Sequence, residues 1–231
     1  MSILKRSKDR KVANSLTPSG GVRIANSFGL PAGKAYSCPN ATSVCEKICY
    51  AGRLEKVYKG VRNALLDNYN ALVNATPVQM QNMLDEMISE FEAECEKHNA
   101  EKLFRIHWDG DFFNANYHWA WHYVIDKHPD VHFWVYTRVP KAAIALRHLE
   151  NLTMYFSTDE DNVIEAIELN TRYGIRLALL GQTFDDAKAL ANVRAAKCPE
   201  QRKQIPLNGA CVACGICVKG VNNIAFSISK R

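Results

Sequence analysis

Apolar residues recur at helical spacing in the first half of the chain. From residue 53 to residue 73, and again from Pro77 to Cys95, they fall at intervals of three and four residues, which predicts two helices. Thr76 before Pro77 is a typical helix start, because threonine caps backbone amides and proline fits the first turn. Cys95 lies on the apolar stripe of the second helix, so we expect it to fill core space rather than bind a ligand.

From residue 103 onward, short strand-like segments alternate with helical ones. In the first segment, Phe104, Ile106 and Trp108 are predicted on one face and Arg105, His107 and Asp109 on the other. The predicted elements are strand 103–109, helix 114–127, strand 131–138, helix 140–149, strand 152–157, helix 160–173, strand 175–180, helix 184–195 and a last strand 223–228. Such alternation indicates parallel strands with helical crossovers.

The polar or aromatic face of each strand favours one arrangement of these elements. It suits the lining of a partly open barrel better than a strand buried between two helix layers. The predicted fold class is therefore α/β, a partial (β/α) barrel of parallel strands with Cys-rich N- and C-terminal loops; an open doubly wound sheet is the alternative. We predict an irregular segment 1–52 with a short β-like piece at 22–25, a single core domain 53–197, and a Cys-rich segment 198–231 packing on the core.

Composition and charge indicate where the protein is found in the cell, but they do not indicate a particular reaction. The chain has 231 residues, 47% of them hydrophobic, and a formal net charge of +5, which permits nucleic-acid contact without requiring it. No apolar run approaches the roughly 20 residues that span a bilayer, and the basic N-terminus lacks the apolar stretch of a signal peptide. We expect a cytoplasmic protein with reduced thiols and no membrane partner. Residues 1–11 form either a frayed, solvated tail or a weak arm for nucleic acid or a host protein.

Seven of the eight cysteines fall into two groups. The first contains Cys38, Cys45 and Cys49, and the second contains Cys198, Cys211, Cys214 and Cys217. Thiolates that recur every three or four residues can surround one ion or cluster. Neighbouring thiols compete for one another in disulfides, so the spacing favours metal binding.

The second group favours iron–sulfur over zinc. Its Cys-x2-Cys-x2-Cys run and its Cys-Pro pair are typical of ferredoxin ligands, whereas structural zinc sites more often use two separate Cys-x2-Cys pairs. We predict one or two clusters, of the [4Fe–4S] type. The first group offers three ligands, which leaves one iron open to a non-protein partner; alternatively, ligands from both groups meet in a single cluster.

Polar residues follow the predicted strands at their carboxyl ends, where parallel α/β folds gather ligands. Asp109, Gly110 and Asp111 follow the first strand, and Arg138 ends the second. The two carboxylates could bind an amine or a cation, Gly110 could allow close backbone approach, and Arg138 could bind an anion. Asp109, Asp111, Arg138 and His107 are also the catalytic candidates. For each strand-end residue alone, a structural role is an equal alternative, and for His107 alone the structural role is favoured.

The chain resembles the phage "gene product 88" family of uncharacterised proteins. The resemblance is carried by the first cysteine group, by the stretch from Arg105 to Trp121, by residues 133–138 and by the cysteine-rich ending. It covers most of the chain and implies a phage or prophage origin and a bacterial host cytoplasm. It implies no established reaction.

The chain is also similar, more weakly, to radical S-adenosylmethionine enzymes. The shared features are a three-cysteine group ahead of a (β/α) series, a Gly-acid motif ending an early strand and a C-terminal group like an auxiliary cluster. The cysteine spacing differs from the usual one. The similarity implies an enzyme that binds S-adenosylmethionine and an unknown small-molecule substrate. The alternatives are a non-catalytic cluster protein with an electron donor, host protein or nucleic acid as partner, and a zinc-stabilised module.

Overall fold

A sheet of six parallel strands lies at the centre of the computed structural model, which describes residues 2–12, 24–205 and 209–229. The strands are β1 (Leu103–Ile106), β2 (His132–Thr137), β3 (Leu152–Thr158), β4 (Arg176–Gly181), β5 (Ala195–Lys197) and β6 (Asn223–Ser227). Their spatial order is β1-β2-β3-β4-β6-β5. The prediction of an α/β fold with parallel strands is confirmed.

Helices precede the sheet and connect its strands. They are α1 (Ser43–Ile48), α2 (Tyr50–Val57), α3 (Lys59–Val73), α4 (Pro77–Lys97), α5 (Ala115–Lys127), α6 (Pro140–Leu146), α7 (Val163–Tyr173), α8 (Phe184–Leu190) and α9 (Ala210–Cys214), with a 3-10 turn at Arg10–Val12. Thr76 caps α4 through a reciprocal capping box with Gln79, as its sequence predicts. Among the described helices, none has both the length and the apolar character needed to cross a lipid bilayer.

The main core lies on one face of the sheet. The buried strand residues Phe104, Phe133, Phe156 and Leu177 pack there against the inward faces of α4 to α8. Strands β1 to β4 are adjacent in chain order, so successive right-handed crossovers place their connecting helices on the same side. This arrangement differs from a doubly wound sheet, in which helices cover both faces.

The C-terminal cysteine segment covers the opposite face. After β5 the chain returns to insert β6 beside β4, so a right-handed crossover carries the described residues 198–205 and 209–222 over the face that α5 to α8 leave open. Trp134, Tyr155 and Ile224 are buried on this face against the segment. The topology of the last two strands therefore brings the second cysteine group onto the sheet.

Residues 2–12 are packed on the protein and are not a frayed tail. Leu4 and Val12 are buried, and Ser7 bridges to Ser27 in a short antiparallel pair. Several of the basic side chains make ion pairs: Lys5 with Asp67, Arg6 with Glu94, and Lys11 with Glu200. The expectation of a solvated tail is wrong, because these residues bury apolar surface and pair most of their charge.

Two of the predicted helices differ from the observed ones. The predicted helix 53–73 is two helices, because Tyr58 adopts an extended conformation between α2 and α3. The predicted helix 184–195 ends at Leu190, and its last residue already begins β5. The piece predicted at 22–25 lies partly outside the described residues. The division into segments 1–52, 53–197 and 198–231 stays a prediction.

Candidate metal and ligand sites

The four cysteines of the second group line one small cavity. Cys198, Cys211, Cys214 and Cys217 surround about 20 Å³ of space, together with Pro199, Glu200 and Ile224. The short helix α9 carries two of these cysteines, and the tight turn after it, with Gly215 in the left-handed region, brings in Cys217. Cys198 follows β5 directly, so the return of the chain from β5 to β6 closes the group.

Burial favours the neutral thiol form of Cys198, Cys211 and Cys217 by raising the pKa of each. It raises the pKa of Cys211 to about 12 and that of Cys217 to about 11. Tyr136 hydrogen-bonds Cys217, and the positive charges of Arg105 and Lys11 lie close enough to Cys211 to oppose part of the shift. A bound cation would have to displace the thiol protons, so metal binding here would release protons.

Arg105 connects the N-terminal segment to this group. Its guanidinium donates to Asp9 over 2.7 Å and lies 5.0 Å above the ring of Trp134 and 5.9 Å from the ring centre of Tyr136. Both members of the Arg105–Asp9 pair are largely buried. The positive charge of Arg105 is therefore fixed beside the C-terminal cysteines on the sheet face.

The first cysteine group lies at the carboxyl ends of β1, β2 and β3. Residues 26–30 run beside β1, with Phe28 donating to the Arg105 carbonyl and Leu30 to that of Asp109, which delivers the following loop to this edge. Thr42 caps α1 and donates to Asp159, and the Cys49 sulfur caps α2 by accepting from Gly52. The loop is thus fastened at both ends.

Charged side chains of the strand ends surround the first group. The negative charges of Asp111 and Asp109 raise the pKa of the Cys38 thiol, and Asp109 also raises the pKa of the Cys49 thiol. Burial, reinforced by Asp111, raises the pKa of Cys38 to about 12. Burial also raises the pKa of Cys45, and Arg138 partly opposes that shift. The structure therefore brings this cysteine group together with the predicted strand-end residues.

Asp109 has an unsatisfied carboxylate oxygen. It is 4% exposed; its Oδ1 atom accepts from the Gly110 amide, while its Oδ2 atom has no hydrogen-bond partner among the described residues. Burial, followed by the nearby carboxylate of Glu55, raises its pKa to about 8. At the same edge, Arg138 pairs with Asp159 over 2.8 Å and keeps its Nη1 atom buried without a partner in the described structure.

Asp111 connects two strand ends through hydrogen bonds. Its carboxylate accepts from the Thr137 hydroxyl at 2.6 Å, the Arg138 amide at 2.7 Å and the Phe112 amide at 2.8 Å, which joins the loop after β1 to the end of β2. Gly110 has a φ of 82°, and a Cβ there would collide with Ser37 and Leu30. The backbone at Gly110 therefore packs closely against the loop that leads to Cys38.

His107 lies in an aromatic cluster on the helix side of the sheet. Its φ of 58° ends the strand alternation, so the predicted shared face with Arg105 is wrong at this residue. The ring packs against Phe112 and Trp121, and its Nε2 atom is 2.8 Å from the Tyr117 hydroxyl. Burial, with a smaller effect of Arg105, lowers its pKa to about 3, so the ring is neutral near pH 7.

Cys95 is buried in the main core and donates a weak hydrogen bond to the Glu101 carbonyl, in agreement with its predicted structural role.

In the part of the chain that the structure describes, no three His, Cys, Asp or Glu side chains are placed so that they could hold a metal ion. Sequence reasoning missed Asp9, Arg105 and Glu55 as neighbours of the cysteines. Their positions depend on long-range packing, which no local motif signals.

Comparison with known proteins gives one family. A sequence model described as "Gene product 88" matches residues 2–220. The chain belongs to the gene product 88 family. It is 47% identical over 241 residues to "Gene 88 protein" of Mycobacterium phage L5 and 46% identical over 242 residues to "Gene 88 protein" of Mycobacterium phage D29, with 100% of each chain covered.

These relatives confirm the predicted phage family. No solved structure matches the chain significantly. The similarity to radical S-adenosylmethionine enzymes was not found in these comparisons, and the names of the relatives state no activity.

Proposed function

We propose that this gene product 88 protein is an iron–sulfur protein whose C-terminal four-cysteine group holds a cluster, [4Fe–4S] being the type that four thiolates and the Cys-x2-Cys-x2-Cys run favour. The observation that carries the proposal is the single cavity lined by Cys198, Cys211, Cys214 and Cys217. Cysteines from two separate stretches of chain line it, and no histidine is among the described lining residues. As they stand, no three of these side chains are placed to hold a metal ion, so binding a cluster would require the cysteines to move closer together.

The surroundings of this cavity fit a redox group. Ile224 and Pro199 contribute apolar wall, which limits water access. When bound, a cluster would supply one-electron transfer. Arg105 holds a buried positive charge near Cys211, and Tyr136 hydrogen-bonds Cys217; both interactions stabilise added negative charge on the sulfurs.

The fold supports the finer interpretation as a partial (β/α) barrel. Strands β1 to β4 follow chain order, their connecting helices cover one face, and the cysteine segment covers the other. In this interpretation, the C-terminal segment fills what would be the barrel interior. A bacterial host cytoplasm, where thiols stay reduced, is the setting that the proposal requires.

Anaerobic purification followed by iron and sulfide analysis tests the cluster. We expect brown protein with visible absorbance and about four irons per chain if only the second group is filled, or about eight if both are. Cys211→Ser should lose the iron of one cluster, whereas Cys95→Ala, which removes a cysteine outside both groups, should keep the full content. Colourless protein carrying stoichiometric zinc would establish the zinc-stabilised module instead.

A second candidate function rests on the first group. Cys38, Cys45 and Cys49 lie beside two buried polar atoms without partners in the described structure, Oδ2 of Asp109 and Nη1 of Arg138. A carboxylic acid and a guanidinium at one strand edge suit the amino and carboxylate ends of an amino acid. S-adenosylmethionine, whose amino acid part can chelate an open iron, is the cofactor we propose for this edge.

The radical activity has its own test. Reconstituted, reduced protein incubated with S-adenosylmethionine should form 5′-deoxyadenosine, and Cys45→Ser should abolish this product while leaving the iron of the second group in place. If reduced protein with a full iron content forms no 5′-deoxyadenosine, the first group does not cleave S-adenosylmethionine, and a non-catalytic electron-transfer role is favoured.

A further inference from the structure

A basic surface with exposed aromatic and aliphatic side chains lies at the end of α1, on α2 and at the start of α3. Residues 47–62 contain five cations and one carboxylate, so this short stretch holds +4 of the formal net charge of +5. The five cations, which we call the basic row, are all exposed: Lys47, Arg53, Lys56, Lys59 and Arg62. Four of them, from Arg53 to Arg62, recur every third residue.

The basic row is not neutralised by nearby acids. Within the described structure, none of its five members is within ion-pair distance of a carboxylate, whereas Lys34, Lys102 and Lys127 elsewhere all are. The one carboxylate of this stretch, the half-buried Glu55, accepts from the Ala32 amide, and Glu46, which directly precedes the stretch, pairs with Lys34. The row therefore presents uncompensated charge to solvent.

Large apolar side chains are exposed among these cations. Tyr50 is 57%, Val57 68% and Tyr58 56% exposed, and Leu54 is the fourth member of the same stripe along α2. Tyr50 donates its hydroxyl to the Trp108 carbonyl, which fixes the ring at the surface. A folded protein has no structural reason to keep this much apolar surface beside unpaired cations in water.

We infer that this surface binds single-stranded nucleic acid. A row of lysines and arginines tracks a phosphate backbone, and exposed tyrosines between them offer faces on which bases stack without sequence preference. An acidic protein would also neutralise the charge, but the regular spacing of the cations matches a linear polyanion better. The inference is independent of the proposed cluster, and it moves nucleic-acid binding from residues 1–11, most of whose charge is paired, to α2 and α3.

Binding of a fluorescent 25-nucleotide oligo(dT) across a salt series tests the inference. The wild-type chain should bind at 50 mM salt and weaken steeply as salt is added, with a slope of about −0.7 per phosphate contacted. The triple variant Arg53→Glu, Lys56→Glu, Lys59→Glu should weaken binding at least roughly tenfold and reduce the magnitude of the salt slope by about two.

A matched triple variant controls for total charge. Lys97→Glu, Lys141→Glu and Arg172→Glu change three exposed cations on other helices by the same amount and should weaken binding less than about threefold at the same salt. Circular dichroism melts of both triples establish that they are folded. Equal weakening by the two triples would assign the binding to overall charge and overturn the inference.

The aromatic contribution has a separate readout. Tyr58→Ala should weaken binding roughly tenfold with an unchanged salt slope, because it removes stacking and no charge, while Tyr123→Ala on α5 should have no effect. The inference fails if the wild type shows no binding at 50 mM salt. It also fails if polyglutamate displaces the oligonucleotide at equal charge concentration and Tyr58→Ala is silent, which would indicate an acidic protein partner.

Discussion

Near the C-terminal cysteines, the sheet face carries a buried ion pair between Arg105 and Asp9, which makes stability depend on both residues. Arg105 and Asp9 have side chains only 12% exposed, and the pair joins two segments nearly a hundred residues apart in sequence. Removing one member leaves the other as an uncompensated buried charge, which is far more costly than losing a pair in water. The ion pair of Lys5 with Asp67, with both side chains more than half exposed, is the natural comparison.

Asp9→Asn should lower the free energy of unfolding by about 3 kcal/mol, because the guanidinium of Arg105 keeps its desolvation cost and loses its counterion. Lys5→Gln should lower it by only about 0.5 kcal/mol, since exposed pairs contribute little. Urea denaturation of both variants measures the difference. Similar costs for the two variants would show that Arg105 is solvated in solution.

His107 should make stability sensitive to acid. Its folded pKa of about 3 lies below the ordinary value of about 6.5, so only the unfolded state takes up this proton at moderately acidic pH. The stabilising contribution is fully present above pH 6.5 and is lost as pH falls from there toward 3, at about 1.4 kcal/mol per pH unit.

His107→Asn removes this titration, and asparagine tolerates the positive φ at the site. The variant should be less stable at neutral pH because it loses the packing against Phe112 and Trp121. Between pH 6.5 and 4, the slope of its unfolding free energy against pH should be smaller than that of the wild type, by an amount that corresponds to nearly one bound proton. Denaturation curves at several pH values give both slopes. Parallel pH profiles for the two proteins would mean that His107 is protonated in the native state.

At the scale of elements, the end of β4 requires a glycine. A Cβ at Gly181 would collide with the backbone of Ala187 in α8, which lies directly over the strand end. Gly181→Ala should therefore lower the free energy of unfolding by about 2 kcal/mol, because α8 must move away from the sheet.

Gly60 provides the control for that substitution. It lies in the first turn of α3 with open space around it, so Gly60→Ala should raise stability by about 0.5 kcal/mol through helix propensity. Thermal melts of the two variants should shift in opposite directions. A neutral result for Gly181→Ala would show that the packing of α8 against β4 is looser than its geometry indicates.

Local patterns predicted those elements whose periodicity is clean. The alternation of β2 and the capping signal at Thr76 both specify structure within a few residues, so these elements were predictable. The short strand β5 was not, because three residues without a distinctive pattern become a strand only through pairing with β6. The strand-end position of Asp109 and Arg138 followed from the parallel topology, whereas the position of their neighbour Glu55 on α2 depends on tertiary packing.

At the scale of the molecule, the two cysteine groups occupy different sides of one structure. The first is at the strand edge near Asp109, and the second is on the open sheet face near Tyr136. A ligand that binds only the folded state stabilises the whole chain by mass action. Filling the second group would therefore fasten residues 198–217 to the sheet.

If the second group holds the proposed cluster, removing iron should lower the melting temperature of anaerobically purified protein by several degrees, because a cluster would bind only the folded arrangement of its ligands. Cys214→Ser should already melt near the iron-free value and respond little to chelation. Differential scanning fluorimetry with and without a chelator measures both. An unchanged melting temperature on iron removal would mean that the cluster does not fasten the segment.

The position of β6 affects how the chain folds during synthesis. This strand follows the other five described strands in sequence, yet it lies inside the sheet, between β4 and β5. Until it emerges, β5 has no neighbour to pair with, and α8 leads to an unanchored stretch of chain. Translation must therefore have passed β6 before the sheet can close, and the pocket that joins Cys198 to Cys211, Cys214 and Cys217 forms in the same step.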